Sequence, residues 1–150
     1  MKRVEHLIYV SLKYTRTVDV LVNIINRMMD AYDFLIQALL KYALSRKMIT
    51  SLPETPIERE QLAKDMFTDD IVLKNIDLIN MYRKILKSPL QRINEYRRHV
   101  TLIAKMDGKE ERIDIDNISA YHELQKEFVE YVERLIRGPK DEFMLRKLHR

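Results

Sequence analysis

The stretch that decides the fold is residues 18–43, which read VDVLVNIINRMMDAYDFLIQALLKYA. With residue 18 as position a of a heptad, apolar side chains fill the a, d and e positions and polar side chains lie opposite. The a and d positions are Val18, Leu21, Ile25, Met28, Tyr32, Leu35, Leu39 and Tyr42, and the e positions are Val22, Met29, Ile36 and Ala43. A stripe this wide predicts a long helix that packs against several others.

The composition extends the helical prediction to the rest of the chain. The sequence has 150 residues, of which 46% are hydrophobic and 33% charged, and this is the size and composition of one globular domain. Only two glycines and four prolines occur, too few for the many tight turns of an all-β protein. We therefore expect a single all-α domain over residues 1–150, built as a compact bundle of five or six helices.

Local capping signals divide the chain into helices. Thr17 is an expected N-cap for the long helix, which either follows a shorter helix at about residues 4–14 or continues from it without a break. Thr55, Pro56 and Glu58 match a capping box and predict a short helix to about Met66. Further helices are expected at about 70–87, 89–98 and 116–138, with Asp116 as the last cap, and a peripheral tail helix over 138–150 that docks, pairs with another subunit or frays.

One segment changes from helical to alternating periodicity. Asp107-Gly108 lies between two alternating runs, which is the strongest short-range signal for a β-hairpin. A hairpin at about residues 100–115 is therefore expected as an insertion in the bundle. The predicted cross-strand pairs are Met106 with Lys109, Lys105 with Glu110, Leu102 with Ile113, and Val100 with Ile115.

Several classes of function are excluded by the residues that are missing. The chain has no cysteine, which rules out disulfides, a cysteine nucleophile, iron–sulfur clusters and cysteine-based zinc sites. Its two glycines, Gly108 and Gly138, cannot form a phosphate-binding loop. The four histidines are too widely spaced for a metal site, and an acidic solvent-exposed face explains His122 and the glutamates that follow it better than a metal does. No cofactor and no metal are expected.

The N-terminus lacks a hydrophobic signal core, and the longest apolar runs are four or five residues. These features predict a cytoplasmic protein that does not insert into a membrane. High charge, few glycines and the absence of cysteine are also typical of thermophiles.

Positive charge is concentrated in residues 83–99. This segment contains six basic residues and a single acidic residue, Glu95, whereas the formal charge of the whole chain is +4. Such a cluster can bind phosphates, and tyrosines within it can stack on exposed bases. A solvated helix face beside acidic helices is the alternative interpretation. The candidate nucleic-acid-binding residues are Arg83, Lys84, Lys87, Tyr96, Arg97 and Arg98.

Arg92 and His99 are the candidate catalytic pair. An imidazole can exchange a proton at neutral pH, and a guanidinium can hold a phosphate or stabilise the charge that develops on it. Together they could support RNA cleavage without a metal, with the 2′-hydroxyl as nucleophile. The structural alternatives are a salt bridge from Arg92 to Glu95 or a neighbouring helix, and for His99 a position at a helix C-terminus.

With these residues, the chain resembles the HEPN superfamily (higher eukaryotes and prokaryotes nucleotide-binding). The resemblance rests on the Arg92-x6-His99 spacing and on a helical frame over about residues 15–137, including Asp30 to Leu44. Ile93 stands where the family usually has a polar residue, and the hairpin is not a usual part of its fold. The resemblance implies a dimeric, metal-independent ribonuclease or toxin-type component in which His99 is the general acid or base.

Two functions therefore follow from the sequence. One is a HEPN-like RNA-interacting protein with Arg92 and His99 in catalysis. The other is a non-catalytic helical module whose basic patch docks an acidic partner protein or a nucleic-acid backbone. In either case we expect a homodimer, formed through the long helix or the basic tail.

Overall fold

The computed structural model describes residues His6, Val10 and 16–148, and for residues 139–148 it describes the backbone alone. The elements of the described chain run in the order α1 (Val18–Ser45), α2 (Pro56–Met66), α3 (Asp70–Lys87), β1 (Leu90–Ile93), β2 (Thr101–Met106), β3 (Lys109–Asp114) and α4 (Ile115–Leu148). The short helix expected at about residues 4–14 lies outside the described residues.

Helix α1 forms the centre of the core, as its apolar stripe predicts. The a and d positions from Val18 to Leu39 are buried, while Tyr42 is half-buried. At the start of the helix, the hydroxyl of Thr17 accepts a hydrogen bond from the Val20 N–H at 3.3 Å, which confirms the predicted N-cap. The helix ends at Ser45 because Lys47 adopts a left-handed conformation with φ of 60°. The amide of Met48 then donates to the Ala43 carbonyl at 2.9 Å, which closes a Schellman motif.

Helix α2 begins at its predicted cap and α3 begins at the expected residue 70, and both helices pack against α1. The Thr55 hydroxyl accepts from the Glu58 N–H at 3.2 Å, and Pro56 occupies the first helical position. Asp69 is the N-cap of α3 by backbone conformation, but its side chain makes no capping bond. Its carboxylate instead accepts from the Tyr131 hydroxyl at 2.8 Å, so this cap residue ties α3 to α4.

The β2–β3 hairpin has the predicted register over most of its length. Met106 pairs with Lys109, Lys105 with Glu110 and Leu102 with Ile113. The expected pair of Val100 with Ile115 is wrong, because β2 begins at Thr101 and α4 already begins at Ile115. Both of those side chains are nevertheless buried. Val100, Leu102, Ala104 and Ile113 join the helical core, which fixes one face of the hairpin against the helices.

The expected all-α bundle of five or six helices is wrong. The described residues form four helices and a three-stranded antiparallel sheet in the order β1-β2-β3. The error lies in the helix expected at 89–98: Leu90–Ile93 form strand β1, and a loop follows. Leu90 pairs with Ala104 and Ile93 with Thr101. Pro89 is compatible with this strand because β1 lies at the edge of the sheet, where proline is tolerated at a strand start.

Helix α4 closes the core against α1 and α3. Its first turn is capped by Asp114 rather than by Asp116: the Asp114 carboxylate accepts from the Asn117 N–H at 2.8 Å, and the Asn117 side chain accepts from the Asp114 N–H at 3.1 Å. Gly138 interrupts the helix with φ of 75° and ψ of 170°, in accord with the break predicted there.

Contacts along the two long helices show that α4 runs in the same direction as α1. The Gln125 amide donates to the Met28 carbonyl at 2.9 Å, and the rings of Phe128 and Tyr32 lie 6.2 Å apart. Further along, Ile136 meets Tyr42 in a surface groove. In the core, the Tyr32 hydroxyl donates to the Asn75 side chain, and burial raises the pKa of Tyr32 above its usual range. None of the described helices has the length and apolarity needed to cross a membrane.

Candidate nucleic-acid interface

Strand β1 divides the predicted basic cluster into two groups. Arg83, Lys84 and Lys87 lie on the last turns of α3, before the strand, whereas residues 94–99 form the β1–β2 loop after it. Four residues of extended chain separate the two groups by roughly 13 Å, since a strand rises about 3.3 Å per residue. The cluster is therefore not the single helix face that its sequence suggests.

One of the three basic residues on α3 is held in an ion pair that is largely shielded from solvent. Arg83 Nη2 lies 2.6 Å from Glu60 Oε2, and both side chains are largely shielded from solvent. Lys84 and Lys87 are exposed and border a shallow depression together with Ile57 and Asn80. Of the three residues in this group that were predicted to bind phosphate, only the two lysines are thus exposed to solvent.

Arg92 binds two carboxylates and anchors the β1–β2 loop to α1. Its Nη2 lies 2.7 Å from Asp19 Oδ1, and its Nη1 lies 3.2 Å from Glu95 Oε1. The same Glu95 oxygen accepts from the Val18 N–H at 3.2 Å, at the first turn of α1. The hydrogen bond from Arg92 lowers the pKa of Asp19, and the hydrogen bonds to Asp19 and then Glu95 raise the pKa of Arg92.

The register of the sheet explains why Arg92 reaches α1. Arg92 is directly opposite the buried Leu102, so it projects from the face of the sheet that packs on the helices. Because β1 is the edge strand, its side chain passes the border of the core and reaches Asp19. The alternative expectation of a salt bridge to Glu95 or a neighbouring helix is confirmed for both partners, since Asp19 lies on α1. The sequence did not identify Asp19 itself, because 73 positions separate the two residues.

The remaining side chains of the β1–β2 loop divide into anchored and exposed ones. Arg98 turns towards α4, where its Nη2 lies 2.6 Å from Asp116 Oδ1. Tyr96 is 78% exposed, and Arg97 and His99 are exposed beside it. An aromatic ring, a guanidinium and an imidazole are thus presented together from one short loop.

The backbone of the β1–β2 loop has an unfavourable conformation at two of its residues. Asn94 has φ of 55° and Tyr96 has φ of 66°, and the left-handed region is costly for a bulky residue such as tyrosine. The Tyr96 N–H donates to the Arg16 carbonyl, and the Val100 N–H donates to the Arg97 carbonyl at 3.0 Å. Asparagine after a strand is a signal for such a turn, but nothing in the sequence marks Tyr96 as left-handed.

The two candidate catalytic residues lie on different elements. Arg92 lies on β1 and His99 at the far end of the loop, and among residues 16–138 no hydrogen bond links their side chains. The His99 carbonyl accepts from the Thr101 hydroxyl at 2.9 Å, which orients the backbone at the entry to β2. His99 is therefore in a loop, not at a helix C-terminus as the alternative interpretation expected.

Within the described part of the chain, no three histidine, aspartate or glutamate side chains come close enough to hold a metal ion. His122, expected on a solvent-exposed acidic face, is instead buried in α4. No family model, curated protein or solved structure matches this chain with significance.

Proposed function

We propose that the protein binds single-stranded RNA through the β1–β2 loop without cleaving it. The observation that carries this proposal is Tyr96, whose ring is 78% exposed on a backbone that several contacts hold in place. Every base has a face on which an aromatic ring can stack, and proteins bind single strands in this way with little sequence preference. A double helix offers no such unstacked faces.

The anchored loop supports a binding role because it reduces the cost of ordering on binding. Glu95 contacts both Arg92 and the first turn of α1, and the Tyr96 amide is bonded to the Arg16 carbonyl. A ring on such a loop loses little further freedom when a base stacks on it. Strained backbone also tends to occur at binding sites, and the positive φ of Tyr96 is an outlier of that kind.

Arg97 supplies the electrostatic part of the proposed site. It is exposed next to Tyr96, where its guanidinium can contact a phosphate while the ring stacks on the adjoining base. Arg98 is occupied by Asp116 and contributes less. Lys84 and Lys87 lie at the other end of β1. They can contact a single-stranded RNA that runs along the edge of the sheet.

The contacts of Arg92 favour binding over cleavage. In a ribonuclease this guanidinium would hold the scissile phosphate, but here it faces two carboxylates at 2.7 and 3.2 Å. A phosphate would have to compete with both of them and would meet their negative charge. His99 is exposed, and within the described residues no hydrogen bond joins it to Arg92, so the contacts of this pair do not support a shared catalytic role.

The test measures the affinity of a fluorescently labelled single-stranded RNA by anisotropy, in a chelator and over a series of salt concentrations. Loss of one stacked base costs roughly 1–3 kcal/mol, so Tyr96→Ala is expected to weaken binding by about 5- to 150-fold. Tyr96→Phe retains the ring and is expected to bind as wild type does. Arg97→Ala is expected to weaken binding and to flatten its dependence on salt.

Controls and a second readout separate this function from its rivals. Arg134→Ala removes another exposed arginine, on α4, and is expected to leave RNA binding unchanged. A duplex of the same RNA is expected to bind more weakly. Absence of binding by wild type at low salt would contradict the proposal and favour an acidic protein partner. Chelator-resistant cleavage that His99→Ala abolishes would instead support the ribonuclease prediction.

A further inference from the structure

A groove on the side of the molecule lies between α1 and the last turns of α4. It is lined by Ala38, Lys41, Tyr42, Ser45 and Ile136 and has a volume of about 360 Å³. Ile136 is 52% exposed there. One turn before Ala38 on the same helix, Phe34 is 73% exposed. A large exposed apolar side chain and a depression with an apolar lining thus occur one helical turn apart on α1.

Helical spacing places these features on one ridge. Phe34, Ala38 and Tyr42 are each four residues apart, and residues at i±4n form the ridges by which helices most commonly pack. Ala38, the smallest of the three, is in the middle and lines the depression, with Phe34 one turn before it and Tyr42, which also lines the depression, one turn after it. A surface on which knob and hole are related in this way is complementary to itself.

We propose that this ridge is the interface of a symmetric homodimer in which α1 crosses α1 of a second copy at Ala38. A two-fold axis beside Ala38 inserts Phe34 into the depression around the partner's Tyr42 and, at the same time, inserts the partner's Phe34 into the depression on the first copy. The small side chain at the crossing point lets the two helices approach closely, with a crossing angle of about 50°.

The charges on the ridge favour a second copy in this antiparallel orientation. Asp30 lies one turn before Phe34, and Arg46 lies one turn after Tyr42, so the symmetry that pairs the apolar residues also places Asp30 near the partner's Arg46. Asp30 is exposed and has only a 3.8 Å contact with Arg27. Arg46 is exposed, with its guanidinium 5.4 Å from the centre of the Tyr42 ring. A parallel arrangement would instead place Asp30 beside the same residue of the partner, where like charges repel.

Sedimentation velocity over a range of concentrations tests the proposal with the full chain. Wild type is expected to form a reversible dimer, and Phe34→Asp is expected to be monomeric because it buries a charge in the apolar depression. Ile57→Asp is the matched control: Ile57 is 59% exposed on α2 and borders a different depression with Asn80 and Lys84, so this variant is expected to dimerise normally. Similar thermal unfolding of the two variants shows that both are folded.

A charge exchange tests the orientation. Asp30→Arg and Arg46→Asp are each expected to raise the dimer dissociation constant about tenfold, and the double variant is expected to restore it, because the opposite charges again face each other across the two-fold axis.

A single cysteine tests the position of the axis. The chain has no cysteine, so Ala38→Cys introduces a unique thiol, and a short bismaleimide is expected to cross-link two copies through it. Glu133→Cys, on the exposed face of α4, is expected not to cross-link. A wild type that stays monomeric at high concentration, a Phe34→Asp variant that still dimerises, or cross-linking at 133 but not at 38 would each overturn the proposal. The groove would then belong to another occupant, such as residues 139–150 or a different protein.

Discussion

Two connections in the same sheet each contain a pair of left-handed residues, but they are built differently. The β2–β3 turn uses Asp107 and Gly108, with φ of 47° and 77°. The β1–β2 loop uses Asn94 and Tyr96, with φ of 55° and 66°. The first pair consists of residue types that accept this conformation readily, and the second includes a bulky aromatic that does not.

The contacts around the two connections differ in the same way. At the β2–β3 turn the surroundings are open, since a side chain added at Gly108 would meet nothing within 4 Å. The β1–β2 loop is anchored by Arg92, Glu95 and the Arg16 carbonyl, which hold a conformation that its own residues disfavour. The hairpin turn is thus stabilised by local preference, and the β1–β2 loop by tertiary contacts. A loop that is held against its preference, with its aromatic side chain exposed, is consistent with the proposed binding role.

The largest effect on stability is expected from a substitution in the β2–β3 turn, which is stabilised by the local preference of its residues. Gly108→Val forces a β-branched residue into the left-handed region and is expected to lower the free energy of unfolding by roughly 1–3 kcal/mol. Since the space around Gly108 is open, the loss would come from the backbone alone. Thermal unfolding measures it, with Lys109→Val, one residue later on an exposed strand position, as the control. Equal stability of wild type and Gly108→Val would show that the turn does not depend on glycine.

Features that depend on local sequence patterns could be predicted from the sequence, whereas features that depend on tertiary contacts could not. Asp107-Gly108, the stripe of α1 and the Thr55 cap are local patterns, and all three were predicted with nearly correct boundaries. Strand β1 was missed because Ser88-Pro89 is also typical of a helix start, and the strand is defined by its hydrogen bonds to β2.

The sequence does not mark the end of α1 at Ser45, because Lys47 occupies the left-handed position where glycine is usual. For the candidate site, Tyr96 and Arg97 could be named from composition and charge. A salt bridge from Arg92 to Glu95 or a neighbouring helix was expected. Asp19 could not be named as the helical partner, because it is 73 positions away and only the folded chain brings it near.

A smaller effect is expected from removing a tertiary anchor. Glu95→Ala leaves the Val18 N–H and Arg92 without the carboxylate that both contact, and loss of a helix cap costs about 1 kcal/mol. Glu95→Gln keeps an oxygen that can accept from Val18 and is expected to retain most of the stability. Amide hydrogen exchange gives a local readout, because the Tyr96 N–H is expected to exchange faster in Glu95→Ala once the loop opens. Unchanged protection of that amide would show that the loop does not need this anchor.

The smallest changes in the free energy of unfolding are expected at the two left-handed positions of the β1–β2 loop, where two substitutions should act in opposite directions. Tyr96→Asn replaces a residue that disfavours the left-handed region with one that accepts it, and because the ring is 78% exposed little packing is lost. The free energy of unfolding is therefore expected to stay the same or to rise by up to about 1 kcal/mol. Asn94→Ala makes the reverse change at the other left-handed position and is expected to lower it by about 1 kcal/mol. Thermal unfolding of both variants, together with RNA affinity, completes the comparison: Tyr96→Asn should lose binding without losing stability. A clear loss of stability in Tyr96→Asn would mean that the ring supports the fold, and the exposed tyrosine would no longer be evidence for a binding site.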